Sequence, residues 1–176
     1  KNKKSGLRIL EIGCGEGKRL NHLKDVYGFD CYGVEPSKKA VEIANSNGVN
    51  AKTGSADYLP FDDEYFDILI FGFCLYLCDR KDLFRIANEA NRVLDAYGYV
   101  IIFDFYYPGK YKKNPYSHFD GIYSYKMDYR NLFIWHPYYE CFNHKILDHS
   151  KLKISDQIND WVSLSILRKN SKAFDE

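Results

Sequence analysis

Apolar positions along this 176-residue chain fall into short runs that alternate with segments of helical spacing. Leu7 to Ile12 is an apolar run ending in a glycine-dense turn, Gly13-Cys14-Gly15-Glu16-Gly17. Leu20, Leu23 and Val26 follow at helical spacing and Gly28 closes the segment, which predicts a strand, a turn and a crossover helix. Cys31 to Glu35 predicts a second short strand, Pro36-Ser37 a helix start, Ala40, Val41, Ile43 and Ala44 its buried face, and Asn47-Gly48 its end. A weaker strand is expected over Val49 to Thr53, a buried one over Phe66 to Phe73, a helix over Leu83 to Leu94 and an apolar strand over Tyr99 to Phe105. Strands alternating with helices imply an α/β fold, a doubly wound and mostly parallel sheet of about seven strands covered on both faces. Right-handed crossovers put the strand-end loops on one edge, where open α/β sheets bind ligands.

Beyond Phe105 the texture changes. Tyr106 to Tyr139 is dense in tyrosine and broken by Pro108-Gly109, Asn114-Pro115 and His136-Pro137, so an irregular segment is expected, with one short helix near Asp128 to Phe133. A long irregular segment this aromatic is expected to be a lid or wall of a site, mobile when empty. Tyr139 to Leu147 and Trp161 to Leu167 have strand character, the second with Val162, Leu164 and Ile166 on one face and Trp161, Ser163 and Ser165 on the other, which predicts a terminal antiparallel hairpin. The expected organisation is a single domain, 1–176, with a cofactor-binding core over 1–105, a lid and acceptor segment over 106–138 and the hairpin over 139–169.

Composition narrows the classes. With 45% hydrophobic residues the chain can bury one sizeable core, and a net charge of +1 gives no global bias toward nucleic acid or an acidic membrane. No apolar run reaches the ~20 residues of a membrane helix. Without a signal-peptide pattern the expected location is cytoplasmic; Lys1 is not methionine, which leaves room for residues upstream. The five cysteines are odd in number and scattered, and are read as reduced, buried thiols. Cys74-x-x-x-Cys78 has no second pair of matching spacing, so no metal is expected.

The candidate chemistry begins at the glycine turn. Glycines at 13, 15 and 17 let the backbone take positive φ and approach a ligand, while the next helix turns its unpaired N–H groups toward any anion there. A dinucleotide fingerprint wants glycine at the sixth position from Gly13, which here is Lys18, so a nicotinamide-dependent oxidoreductase fits the spacing poorly. Glu35 ends the second strand, where an acidic residue can accept both hydroxyls of a bound ribose. Glu11-x-Gly13-x-Gly15-x-Gly17 resembles the first motif of the class I S-adenosylmethionine-dependent methyltransferases. Three further stretches extend the resemblance in order: Gly54-Ser55-Ala56-Asp57 before Leu59-Pro60-Phe61, Phe66-Asp67 opening the fourth strand, and Arg92-Val93-Leu94 before Gly98. They are similar to the small-molecule branch of that family over roughly residues 7 to 105. The resemblance implies a Rossmann-like fold and S-adenosylmethionine as cofactor, with S-adenosylhomocysteine as product. It places Glu11, Gly13, Cys14, Gly15 and Gly17 at the turn, Glu35 and Pro36 at the ribose, Asp57 on the adenine amine, the Ala56 N–H on a ring nitrogen, and Phe73 beside the site. Two departures are Tyr97-Gly98 for the usual double glycine and Leu77 where a histidine often follows strand four.

Methyl transfer is an in-line displacement at an already activated carbon, so alignment in a dry site matters more than a strong base. For a hydroxyl acceptor, His118 and His136 are the candidate bases in the covering segment, and Tyr106, Tyr107, Tyr111, Tyr116 and Tyr123 could line the acceptor pocket. Phe71-Gly72-Phe73-Cys74 lacks the Asn/Asp-Pro-Pro-aromatic sequence of the enzymes that methylate exocyclic amines of DNA or protein glutamine. Residues 106–154 carry eight Lys or Arg against four Asp or Glu, compatible with a mildly anionic small acceptor. The expected partner is that small molecule, with no nucleic acid and no membrane. Besides the oxidoreductase, a catalytically silent S-adenosylmethionine-binding partner protein stands as an alternative.

Overall fold

A computed structural model describes residues 6–118, 120–151, 153 and 156–172. In chain order the elements are β1 (Arg8–Ile12), α1 (Lys18–Tyr27), β2 (Asp30–Glu35), α2 (Lys38–Ser46), β3 (Asn50–Thr53), β4 (Phe66–Gly72), α3 (Leu83–Val93), β5 (Leu94–Phe105), β6 (Lys112–Pro115), β7 (Tyr123–Lys126), β8 (Tyr139–Asp148) and β9 (Trp161–Lys169). The sheet has seven strands in the order β3-β2-β1-β4-β5-β9-β8. Its first five are parallel, and β9 and β8 add antiparallel pairs at one edge. This is the Rossmann-like, doubly wound arrangement expected, with the terminal hairpin closing the sheet.

The alternation of side chains along the strands divides the core in two. Ile9 and Ile70 point to the face covered by α1 and α2, where they pack with Leu20, Val41, Ala44 and Val49. Leu10, Ile12, Leu69 and Phe71 point to the other face and meet Ile86, Ala90 and Val93 of α3 together with Tyr129 and Phe133. Each such side chain stabilises the fold by roughly 1.5–3 kcal/mol, which holds the sheet between two layers. Strand order reverses at β1: β2 and β3 lie on one side and β4 and β5 on the other. The carboxyl ends of β1 and β4 therefore open a crevice at a topological switch point.

Several expectations need correction. Strand five begins at Leu94, five residues before the expected Tyr99, because the glycine turn is absorbed into the strand as an irregularity: Leu94 pairs with Phe66 and Tyr99 with Ile68. Within it the Tyr97 N–H donates to Asp95 Oδ1 at 3.0 Å. The tyrosine-rich segment is not wholly irregular, since β6 and β7 form their own two-stranded antiparallel hairpin. The expected short helix is a single 3₁₀ turn, Tyr129–Leu132, whose start is capped by Asp128 accepting from the Arg130 N–H. Ser163 and Ser165 of β9, the strand between β5 and β8, are buried. Cys14 and Cys31 are buried, but Cys141, on the edge strand β8, is exposed. Among the described residues no helix is long and apolar enough to cross a membrane.

Candidate functional site

Two adjoining depressions meet at Gly13, at the switch point. One, of about 280 Å³, is walled by Ile12, Glu35, Pro36, Ser55, Ala56 and Phe73. The other, a shallow recess of about 440 Å³, is bounded by Glu11, Cys14, Gly15, Arg19 and Gly72. The turn between β1 and α1 shapes both. Gly13 has φ 75°, and a Cβ there would lie 2.5 Å from Cys74 Cβ. Gly15 has φ 52° and nothing within 4 Å of its would-be Cβ, so open space lies against the backbone there. Gly17 starts α1 in the left-handed region with no side-chain cap. Gly17 thus offers no side-chain cap to the first N–H groups of α1, whereas α2 is capped by Ser37 Oγ accepting from the Ala40 N–H at 3.3 Å.

Glu35 is where β2 delivers it, beside that turn. One carboxylate oxygen accepts from the Gly15 N–H at 3.0 Å and the other from the Ser37 N–H at 3.1 Å, so both the turn and the start of α2 orient it. Glu11 is 3% exposed. Burial pushes its pKa up to about 7 against the opposing charge and hydrogen bond of Arg19. Arg19 Nη1 donates to Glu11 Oε1, while Oε2 is buried without a hydrogen-bond partner. A buried acceptor left open is costly on its own, and a cationic group of a ligand is what would satisfy it. The Cys14 N–H is taken by the Val34 carbonyl at 3.2 Å, and burial pushes its thiol up to about 12.

Ser55 and Ala56 are on the wall of the first depression, but the Asp57 carboxyl is turned onto its neighbours, accepting from Ser55 Oγ at 2.6 Å and from Arg85 at 3.3 Å. The Ser55 hydrogen bond holds it below the usual carboxylate range. This loop is fastened from behind. Arg92 donates to the Leu59 carbonyl at 2.9 Å, to the Phe61 carbonyl at 2.8 Å and to Asp63 at 2.8 Å, and Glu89 accepts from the Leu59 N–H at 2.9 Å. The Leu-Pro-Phe and Arg-Val-Leu stretches are thus two halves of one clamp.

Phe73 leaves β4 with φ 57°, a conformation a bulky side chain rarely adopts. The turn is held by Asp104 on β5, which is 1% exposed and accepts from the Cys74 N–H at 3.1 Å and the Leu75 N–H at 2.9 Å. Burial drives the Asp104 pKa up to about 7, with those backbone donors opposing. So fixed, the Phe73 ring packs on Phe103 at 4.6 Å and His149 at 5.4 Å, and lies between the first depression and a larger cavity of about 590 Å³. That cavity is roofed by the β6–β7 hairpin and walled in part by Tyr76, Phe105, Tyr116, His118 and His149.

The two histidines expected as bases part company here. His118 lies on the cavity wall, stacked edge-on against Tyr116 at 5.1 Å. His136 does not: it lies in a separate groove with Phe84 and Trp135, and its Nδ1 accepts from the Tyr138 N–H at 3.2 Å. Of the tyrosines, Tyr116 reaches the cavity, whereas Tyr106 packs on His144 and Trp161 and Tyr111 on Tyr125. Sequence reasoning missed Arg19, His149 and Asp104. A lone carboxylate inside the apolar run from Val100 to Phe105 was the available signal for Asp104, whereas His149 is brought in only by the β8–β9 pairing.

The methyltransferase-domain family profile matches residues 10–102. The chain is 33% identical over 109 residues to the uncharacterized methyltransferase YcgJ of Bacillus subtilis, covering 57% of this chain and 42% of that protein. It is 35% identical over 101 residues to the probable tRNA methyltransferase 9B of Homo sapiens, covering 57% of this chain and 22% of that one. In each case the match spans less than half of the curated relative's length. A crystal structure of a SAM-dependent methyltransferase from Methanosarcina mazei superposes with a TM-score of 0.75 over 95% of this chain and 94% of that one, at 17% identity, which shows a shared fold.

Proposed function

Because the chain belongs to the family of methyltransferase domains, we propose that it transfers a methyl group from S-adenosylmethionine to a small-molecule oxygen or nitrogen acceptor by in-line displacement. The observation that carries this reading is the joint at Gly13, where an open-backed glycine turn, the doubly oriented Glu35 carboxylate and the unsatisfied Glu11 oxygen converge on one crevice. Each matches a part of the cofactor. Glu11 and Arg19 offer an anion and a cation to its amino-acid end, Glu35 offers acceptors to the ribose hydroxyls, and Ser55, Ala56 and Asp57 offer polar partners to the adenine edge. Pro36 and Phe73 supply apolar wall.

When bound, the cofactor supplies a methyl carbon made electrophilic by its sulfonium. The protein's own residues align and dry the site. Asp104 fixes the Phe73 turn, and the Phe73 ring sets where an acceptor in the larger cavity can approach. The β6–β7 hairpin supplies one side of that cavity. His118, on the cavity wall, is placed to take a proton from a hydroxyl acceptor, and His149 is a second group so placed.

The relative named for tRNA directs attention to a nucleic-acid acceptor. A net charge of +1 and a recessed cavity of about 590 Å³ favour a small molecule instead. Release of S-adenosylhomocysteine over a panel of hydroxyl- and amine-bearing metabolites, with bulk tRNA as one arm, tests this. Turnover on a metabolite supports the reading. Turnover on tRNA alone replaces it, and cofactor binding without turnover on any acceptor favours the catalytically silent alternative.

A further inference from the structure

The larger cavity is chemically divided. Around Phe73 it is aromatic: Phe105 packs against Tyr76 at 4.9 Å and His149 at 5.2 Å, and Tyr76 against Tyr116 at 6.2 Å. Its far wall is cationic. Lys112 on β6 and Lys126 on β7 both donate to Asn159, the first to the side-chain Oδ1 and the second to the backbone carbonyl, so one residue gathers two ammonium groups. Lys126 also sits over the face of Phe105, 4.5 Å from the ring centre. Among the described residues neither ammonium has a carboxylate within ion-pair distance, and this includes Asp160, which lies on the same wall.

Two ammonium groups gathered on one residue repel each other, and the nearby Asp160 carboxylate offsets that repulsion without forming an ion pair with either, so both keep donors free for an anion. Burial already lowers the Lys126 pKa; Asp160 opposes that and the Lys112 charge adds to it. Two other cations of the segment are engaged away from this pair. Arg130 is paired with Asp128, and Lys113 lies over the Tyr123 ring at 3.7 Å. Among the described residues, Lys112 and Lys126 are the lysines that line the cavity, and neither forms an ion pair there.

We propose that this cavity selects an acceptor with an anionic group on a flat apolar body. Its carboxylate or phosphate is held between Lys112 and Lys126, its body lies among Tyr76, Phe105 and Tyr116, and its methyl-accepting end faces Phe73. Charge-assisted hydrogen bonds from two ammonium groups fix the orientation, and the aromatic walls supply stacking area. This rests on the methyl-transfer reading above and adds the acceptor class to it.

The test is calorimetry on the whole chain. S-adenosylhomocysteine is titrated first, and the saturated protein is then titrated with phenylacetate, indole-3-acetate and phenyl phosphate, and with the neutral phenylacetamide and indole-3-acetamide. At least one anion should bind about tenfold or more tightly than its neutral analogue, or in the case of phenyl phosphate than phenylacetamide, the scale of one charge-assisted contact. Which anion does so distinguishes a carboxylate from a phosphate. Lys126→Gln should remove about tenfold of that affinity and leave S-adenosylhomocysteine binding unchanged. The comparison of acid with amide on the unaltered protein needs no variant, so a Lys126→Gln protein that fails to fold does not rescue the idea. Equal binding of acids and amides, or binding of neither, with S-adenosylhomocysteine bound, overturns the anion site and leaves the methyl-transfer reading standing. Failure of S-adenosylhomocysteine itself to bind removes that reading and this proposal with it.

Discussion

Replacing Arg92 by methionine should destabilise the fold by about 3 kcal/mol and weaken cofactor binding as well. The guanidinium is 29% exposed and serves four acceptors: the carbonyls of Leu59 and Phe61, the carboxylate of Glu89 and that of Asp63. The Asp63 contact, with that carboxylate 76% exposed, is worth little, on the order of 0–0.5 kcal/mol. Each bond from a charged donor to a carbonyl contributes roughly 1.5 kcal/mol at the low end, which gives about 3 kcal/mol for the pair. Glu89, 12% exposed, keeps the Leu59 N–H as donor but loses both Arg92 bonds, so the figure of about 3 kcal/mol is the low end. For a chain of this size that corresponds to a fall in Tm of about 6–12 °C. Urea unfolding would read the stability change and calorimetry with S-adenosylhomocysteine the affinity, since the same loop carries Ser55 and Ala56 to the cleft. Arg92→Lys, which keeps the charge but not the fork, should fall between the two. A loss under about 1 kcal/mol with unchanged affinity would refute the clamp.

Glu35→Ala removes the acceptor assigned to the ribose and should weaken S-adenosylmethionine binding by roughly 1.5–3 kcal/mol; a much smaller change would mean that Glu35 serves only to orient Gly15 and Ser37. Asp104 has a folded-state pKa raised to about 7 from 3.8, so between those values the folded protein holds a proton that the unfolded chain has lost, and stability falls as pH rises through that window. The stability of Asp104→Asn relative to the parent should therefore climb by about 1.4 kcal/mol per pH unit between about pH 5 and 7, read by urea midpoints, and a flat difference would contradict the assignment. Hydrogen exchange with and without S-adenosylhomocysteine should show added protection in the β6–β7 hairpin as well as at Gly13 to Gly17 and Glu35; protection confined to the glycine turn and Glu35 would make the hairpin static packing.

Much of the half of the chain that forms the Gly13 crevice was legible because it is local. Period and punctuation marked β1, α1, β2, α2 and α3 to within a residue or two, and the turn glycines, Glu35 and the Ser55-Ala56 loop stand in fixed register to strand ends. The larger cavity was less legible because distant pieces build it. Lys112 and Lys126 meet only through the β6–β7 pairing and Asn159, and His149 reaches Phe73 only because β8 and β9 fold back onto β5. His136 illustrates the same limit: a histidine in the right segment is carried to another groove by the 3₁₀ turn before it. Strand five was misjudged for a different reason, since a glycine that reads as a turn can also be taken up by a bulge.

The central claim is that the crevice at Gly13 binds S-adenosylmethionine, and direct titration of the protein with S-adenosylmethionine and with NADH tests it most closely. The account predicts one site for S-adenosylmethionine, no heat with NADH, and loss of binding in Gly15→Val. In that variant a branched side chain would fill the open space beside the turn at a positive φ, while the cores on either side of the sheet are untouched. Binding of NADH in preference, or undiminished S-adenosylmethionine affinity in a folded Gly15→Val protein, would contradict it.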